Sequence, residues 1–259
     1  MLTQQEITES HSLIIGIFKG FRAELIGSYG KIEHSAKGDE SPVTMLDVKI
    51  ETTLKDNLLA RFPAFGFKGE ETEEVVSTNG AAWLVDPIDS TSSFIHGLPY
   101  CANMAGLIVN GEIVASVIYH FATDELFTAL KGQGAYKNGE RIFVCDTPLN
   151  DSYVFADAYS YKNAYPFYAP DKVKFFAPLG ATGYFFTRLA QGSIQGICYL
   201  RANIKEHDIA AGMLLSTEAG AEAVSFTDKP FDHSCLRFMM GTKSICDLTK
   251  QHRDEIVDS

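Results

Sequence analysis

The segment Trp83-Leu-Val-Asp86-Pro-Ile-Asp89-Ser-Thr91 holds the residues best suited to chemistry. An apolar run delivers Asp86 at its end, and Asp89 follows three residues later with Pro87 fixing the backbone between them. A tight turn after Asp86 lets both carboxylates face one point. Carboxylates brought together repel one another, and a divalent cation removes that penalty. Oxygen donors of this kind suit magnesium, calcium or manganese rather than zinc or copper. Just downstream, Ser90-Thr-Ser-Ser93 precedes Phe94 and Ile95 as a helix start. Backbone N–H groups there can hold phosphate oxygens, and Thr91 can orient a water. A cation site beside an anion site is what phosphoryl transfer needs. The same letters also spell an Asp-Pro turn with a Ser/Thr helix cap, which needs no ligand.

Further acids lie elsewhere. Glu70 and Glu71 follow Gly69 in a polar stretch and by themselves are solvated charges. Asp208 opens Asp-Ile-Ala-Ala-Gly212-Met-Leu-Leu, whose small residues permit close approach of another element; alone it is a helix N-cap. His207 beside it suits a wall or hydrogen-bonding role better than a place among carboxylate ligands. Asp47 and Glu51, four apart, share one side near the start of a helix, where acids also favour the dipole.

These residues need elements to hold them. Ile14, Ile17, Phe18, Phe21 and Leu25 recur at three- and four-residue steps, predicting an opening amphipathic helix. Ile50, Leu54 and Leu58 mark a second, after a polar loop at 35–42. Strands are expected at 82–85, 104–109 and 113–119, the last two joined by Asn110-Gly111, and at 141–144 after Asn138-Gly139. A polar stretch with Pro148 suggests a boundary, giving an N-terminal α+β domain over 1–146 and a C-terminal α/β domain over 147–259. The second contains strands at 153–156, 223–226 and 238–240, and helices at 181–190, 208–219 and 243–253. The aromatic patch from Tyr159 to Phe176, broken by Pro and Lys, suits core packing or a pocket wall.

Bulk properties narrow the partners. Of 259 residues, 22 are Lys or Arg and 33 Asp or Glu, for a net charge of -11, which disfavours nucleic acid and anionic lipid. No apolar run is long enough to span a bilayer, and the N-terminus lacks the pattern of a secretory signal. Five widely spaced cysteines without a CxxC pair fit free thiols in a reducing cytoplasm.

Four spaced motifs resemble the lithium-sensitive, magnesium-dependent inositol monophosphatase family: Ser41-Pro-Val-Thr-Met-Leu-Asp47, Gly69-Glu-Glu71, Trp83 through Phe94, and Glu206-His-Asp-Ile-Ala-Ala-Gly212. The similarity spans most of the chain. It implies an α/β layered sandwich (α-β-α-β-α), usually dimeric, acting on a small phosphorylated metabolite with two or three Mg2+ ions, Mn2+ being a possible substitute. By that resemblance Glu70, Asp86 and the carbonyl of Ile88 hold a first ion, and Asp86, Asp89 and Asp208 a second. Glu70 also lies near a weaker third. Asp47 orients Thr91, Glu70 and Thr91 orient the attacking water, and the backbone of Ser90 and Thr91 holds a phosphate oxygen. Lys37 matches a mobile-loop lysine near metal and phosphate. No covalent nucleophile is required.

The chain departs from the family at three places. Ser90 stands where glycine is usual, which predicts a backbone there that is not left-handed. Ser93 replaces an asparagine. Arg201 replaces a glutamate that in inositol-selective members accepts a hydroxyl hydrogen bond; a guanidinium instead holds a second anionic group, or pairs on the surface with an acid such as Glu206. Leu200-Arg201 is similar to the fructose-1,6-bisphosphatase branch, whereas 93–99 resembles broad inositol phosphatases and histidinol-phosphate phosphatases. Hydrolysis of nucleotide phosphates is also compatible with these motifs, as is a catalytically inactive protein that binds metal and phosphate.

Overall fold

The central strands of this chain are buried almost continuously, and alternate residues along them face different layers, which sorts the apolar residues into three separate cores. On one side of the first sheet Trp83, Val85, Ala105 and Val117 pack with Ile14, Phe18, Ile50 and Leu54. On its other side Met104, Ile118 and Phe127 meet Phe186, Ile209 and Met213, and these meet Phe155, Ile197 and Phe238 of a second sheet. The far side of that sheet, with Val154, Cys198 and Met239, packs on Ala164, Tyr168, Ile245 and Ile256. Neighbouring strand residues thus serve different layers, as the period of two demands. The outcome is helix, sheet, helix, sheet, helix, the expected α/β layered sandwich.

The computed structural model describes residues 2–36, 42–177, 181–201, 204–228 and 231–258. The first outer layer holds α1 (Gln4–Gly20), α2 (Arg22–Ser28) and α3 (Met45–Arg61), with the small ribbon β1 (His34–Ala36) and β2 (Pro42–Thr44) beside it. The opening helix is therefore two, parted at Phe21. The first sheet runs in spatial order β3 (Gly66–Lys68), β4 (Ala81–Asp89), β5 (Ala102–Val109), β6 (Glu112–His120), β7 (Glu125–Leu130), β8 (Gly134–Lys137) and β9 (Glu140–Ile142), with α4 (Thr91–Ile95) between β4 and β5 in sequence. Only β3–β4 pair in parallel. Asn110 and Gly111, and again Asn138 and Gly139, both take positive φ at their hairpin turns, as the letters predict.

The second sheet comprises β10 (Tyr153–Ala156), β11 (Lys174–Phe176), β12 (Gly196–Tyr199), β13 (Glu222–Ser225) and β14 (Phe238–Gly241), in the order β11-β10-β12-β14-β13. Its outer helices are α5 (Ala158–Tyr168) and α8 (Lys243–Asp258); the aromatic patch read as core or wall is α5 with β11. The middle layer is α6 (Thr182–Ala190) and α7 (Glu206–Glu218). Their contact is close because Gly212 lies against Phe186, where a Cβ would fall 2.1 Å from the ring. No described helix is long and apolar enough to cross a membrane.

Candidate active site

In a regular strand, residues three apart face opposite sides of the sheet. Asp86 and Asp89 escape this because β4 is bulged: Asp86 pairs with Met104 and Asp89 with Ala102, so three residues of one strand span two of the other. Both acids therefore share the face of Met104 and Ala102, which looks onto the middle helix layer. This corrects the expected tight turn after Asp86. Pro87 suits the bulge because it has no N–H to pair. Its carbonyl is held by Asn103 Nδ2 at 2.6 Å, from a side chain that is fully buried.

Three other elements bring acids to the same place. The first turn of α6 grips Asp89, with Thr182 N at 3.1 Å and Gly183 N at 2.8 Å from its two oxygens. Asp208 is the third residue of α7, not its cap; Lys205 takes the capping position and donates its N–H to Asp208 Oδ2 at 2.7 Å. His207 is buried with Nε2 3.2 Å from Asp208 Oδ1. Glu70 follows β3 with its side chain 17% exposed, and Lys205 Nζ lies 3.6 Å from its Oε1. Asp47 is fully buried: Oδ2 accepts from Thr44 N at 2.8 Å and Oδ1 from Thr91 Oγ at 3.2 Å. That hydroxyl is also 3.1 Å from Ile88 O.

Electrostatics ties these acids together. Burial pushes Asp86 well above the usual carboxylate range, and Glu70, Asp89, Asp208 and Asp47 push it further. Burial, then Asp208, lifts Asp89 to about 8, although the N–H groups of Gly183, Thr182 and Tyr184 favour its charged form. Asp208 is raised mainly by burial, with Glu70 adding and His207 opposing. Asp86 Oδ1 is buried and has no hydrogen-bond partner among the described residues. The side chains as placed do not stand at ligand spacing: among the described residues no three of His, Cys, Asp and Glu are grouped to hold a metal. The donor set is nonetheless that of a hard divalent cation, being carboxylates with an unpartnered buried oxygen and a carbonyl at Ile88.

Ser90 overturns one expectation. It has φ 62° and ψ 60°, a left-handed residue at the start of α4. Its hydroxyl does not cap the helix but donates to Ser93 Oγ at 2.8 Å, so the two departures from the family pattern bond to each other. Arg201 is exposed, with its guanidinium 3.7 Å over the Tyr159 ring. The surface pair considered for it is not formed with Glu206, which meets Lys68 at 2.8 Å. Lys37 lies outside the described residues. Sequence reasoning missed Asn103 and the α6 N-terminus, because a lone buried amide and a backbone turn carry no signal until the strands are in register.

A layered sandwich with buried carboxylates at the middle layer beside a Ser/Thr helix start defines the class, a phosphoric ester hydrolase. The sequence signature of the inositol monophosphatase family matches residues 5–258, and the chain belongs to that family. An inositol-1-monophosphatase of Rhizobium meliloti is 32% identical over 220 residues, covering 80% of this chain and 82% of its own. A histidinol-phosphatase of Chlorobaculum parvum is 42% identical over 109 residues, 42% of each chain. The crystal structure of the extragenic suppressor protein suhB of Bartonella henselae superposes with a TM-score of 0.83 at 27% identity, covering 96% of this chain and 97% of that one. Relatives in the family are phosphatases, and so is this chain.

Proposed function

We propose that the chain hydrolyses a small-molecule phosphate monoester with magnesium, through a direct attack of water and without a covalent intermediate. The observation that carries this reading is the convergence of buried Asp86 and Asp89 with half-buried Asp208 and Glu70, the other three raising the proton affinity of Asp86, whose Oδ1 has no hydrogen-bond partner among the described residues. Glu70, Asp86 and the Ile88 carbonyl would hold one ion and Asp86, Asp89 and Asp208 another, with Glu70 near a third. Bound there, magnesium would neutralise the acids, make water a better nucleophile and stabilise the departing alkoxide.

The chain's own groups do the rest. Asp47 accepts a hydrogen bond from the Thr91 hydroxyl, which leaves the lone pairs of Thr91 to accept a hydrogen bond from the attacking water and so orient it. Glu70 holds that water from the other side. The backbone N–H groups of Ser90 and Thr91 hold a nonbridging phosphate oxygen, and Lys37 adds a positive charge. Arg201 follows β12, whose Tyr199 hydroxyl is 3.0 Å from Thr182 Oγ in the turn that grips Asp89. That proximity supports a substrate role for Arg201, favouring an ester with a second anionic group. A homodimer in the cytoplasm completes the proposal.

Phosphate release should require magnesium, be suppressed by excess lithium, and vanish in Asp86→Asn while the fold persists. Activity indifferent to both magnesium and Asp86→Asn would end this reading; cation-dependent binding of phosphate esters without turnover would reduce it to a binding protein. A panel of inositol phosphate, fructose bisphosphate, histidinol phosphate and nucleotide phosphates measures the choice of substrate. Arg201→Ala should raise KM most for the ester with a second anionic group. Equal effects across the panel would remove Arg201 from recognition.

A further inference from the structure

Glu51 is fully buried on α3, yet it belongs to none of the roles above. Its Oε2 accepts from Glu70 N and from Glu71 N, both at 2.9 Å, and its Oε1 from Thr72 N at 2.7 Å. Three successive backbone N–H groups thus converge on one carboxylate, the arrangement in which a chain wraps an anion. Gly69 shows how closely the backbone approaches: a Cβ there would lie 2.1 Å from both Cδ and Oε1 of Glu51. The residue has no open space to relax into.

One helical turn earlier on the same face of α3 is Asp47, which holds Thr91. The two groups assigned to the attacking water, Thr91 and Glu70, come from segments far apart in sequence. Each is tied to a buried carboxylate on one rigid helix, Thr91 through its hydroxyl and Glu70 through its backbone.

We infer that Glu51 is a positioning residue, which fixes the Gly69–Thr72 backbone so that the Glu70 carboxylate is held at the cation and water site. The inference rests on the proposed magnesium-dependent reaction. Replacing Glu51 by Gln keeps the volume but exchanges one acceptor oxygen for an NH2 that faces a backbone N–H, so at least one of the three bonds is lost. Outer groups that orient a ligand typically change metal affinity by about 10–100-fold when removed.

Magnesium affinity of the free protein, by titration calorimetry, is the first measurement, with wild type, Glu51→Gln and Leu54→Ala compared. Leu54 is buried on the same helix but packs in the first core, so it controls for simple destabilisation. Glu51→Gln should weaken magnesium binding by about tenfold or more and lower kcat with little change in substrate KM, whereas Leu54→Ala leaves the affinity unchanged. Wild type that binds no magnesium refutes the proposed reaction and this inference with it. Wild type that binds while Glu51→Gln binds equally, or while Leu54→Ala weakens binding as much, refutes the inference alone. Amide hydrogen exchange on the metal-free wild type guards against a variant that does not fold: Glu70, Glu71 and Thr72 should be protected, and free exchange at all three overturns the assignment.

Discussion

Replacing Gly212 with alanine tests whether α6 and α7 are packed as closely as the layered fold requires. In isolation the change should help, since alanine in a helix interior is favoured over glycine by about 1 kcal/mol. Here the new methyl would lie 2.1 Å from Phe186 Cδ2, 2.2 Å from Cγ and 2.7 Å from Cβ. The last contact sits near the backbone of α6, so a ring rotation cannot relieve it and the helices must part. Overpacking of this kind costs about 1–3 kcal/mol, which leaves a net loss of about 0–2 kcal/mol after the propensity gain. Phe186→Ala alone should cost about 3–5 kcal/mol for the cavity it leaves. In that background two of the three clashes disappear and the methyl refills lost volume. The Cβ contact remains, so Gly212→Ala should then cost less than it does in the wild type rather than nothing, a coupling of about 1 kcal/mol. Urea unfolding of the wild type, both single variants and the double variant measures it. Asp208 lies one turn before Gly212, so the single variant should also lose activity and the double variant regain part of it. Additivity within about 0.5 kcal/mol would refute the close contact.

Two further outcomes follow from other parts of the molecule. Ser90→Ala keeps the left-handed backbone and loses the bond to Ser93, so it should cost about 1 kcal/mol, whereas Ser90→Gly exchanges that bond for relief of strain and should match wild type within about 0.5 kcal/mol; equal stability of the two variants in thermal unfolding would contradict a left-handed Ser90. Burial pushes the Glu125 carboxyl up, but Lys137, Thr123 and Arg188 outweigh it and hold the group at about 2, below its ordinary 4.5. A depressed acid stabilises the fold above its unfolded pKa, and that contribution fades as pH falls from 4.5 towards about 2. Allowing for solvent screening at a side chain one-fifth exposed, it amounts to about 2 kcal/mol. Unfolding free energies of wild type and Glu125→Gln should therefore converge on acidification, and a gap that stays constant through the window would count against the cluster.

Much of the layered fold was legible as local pattern. The hairpins at Asn110-Gly111 and Asn138-Gly139 and the strand at 153–156 are short-range signals, carried by turn chemistry and by a short apolar run. The helix from Ala158 was not legible, because an aromatic stretch containing Pro166 has no clear period and is held by partners such as Tyr168 with Thr249 at 2.6 Å. The close packing implied by Ala-Ala-Gly212 was visible, but its partner Phe186 was not.

At the site, the sequence by itself determined which chemistry is possible. It supplies acids at 47, 70, 86, 89 and 208, with Thr91 beside a helix start, and the order of motifs marks the family. Only the tertiary structure decided how Asp86 and Asp89 share a face, for a three-residue spacing in a strand places them on opposite sides and the bulge against β5 reverses it. It also decided that Ser90 is left-handed, that α6 grips Asp89 and that Glu51 anchors the backbone of Glu70. The reason is the same in each case. Composition and spacing fix what a segment can do locally, whereas register, buried amides and backbone donors acquire partners only when elements distant in sequence are packed together.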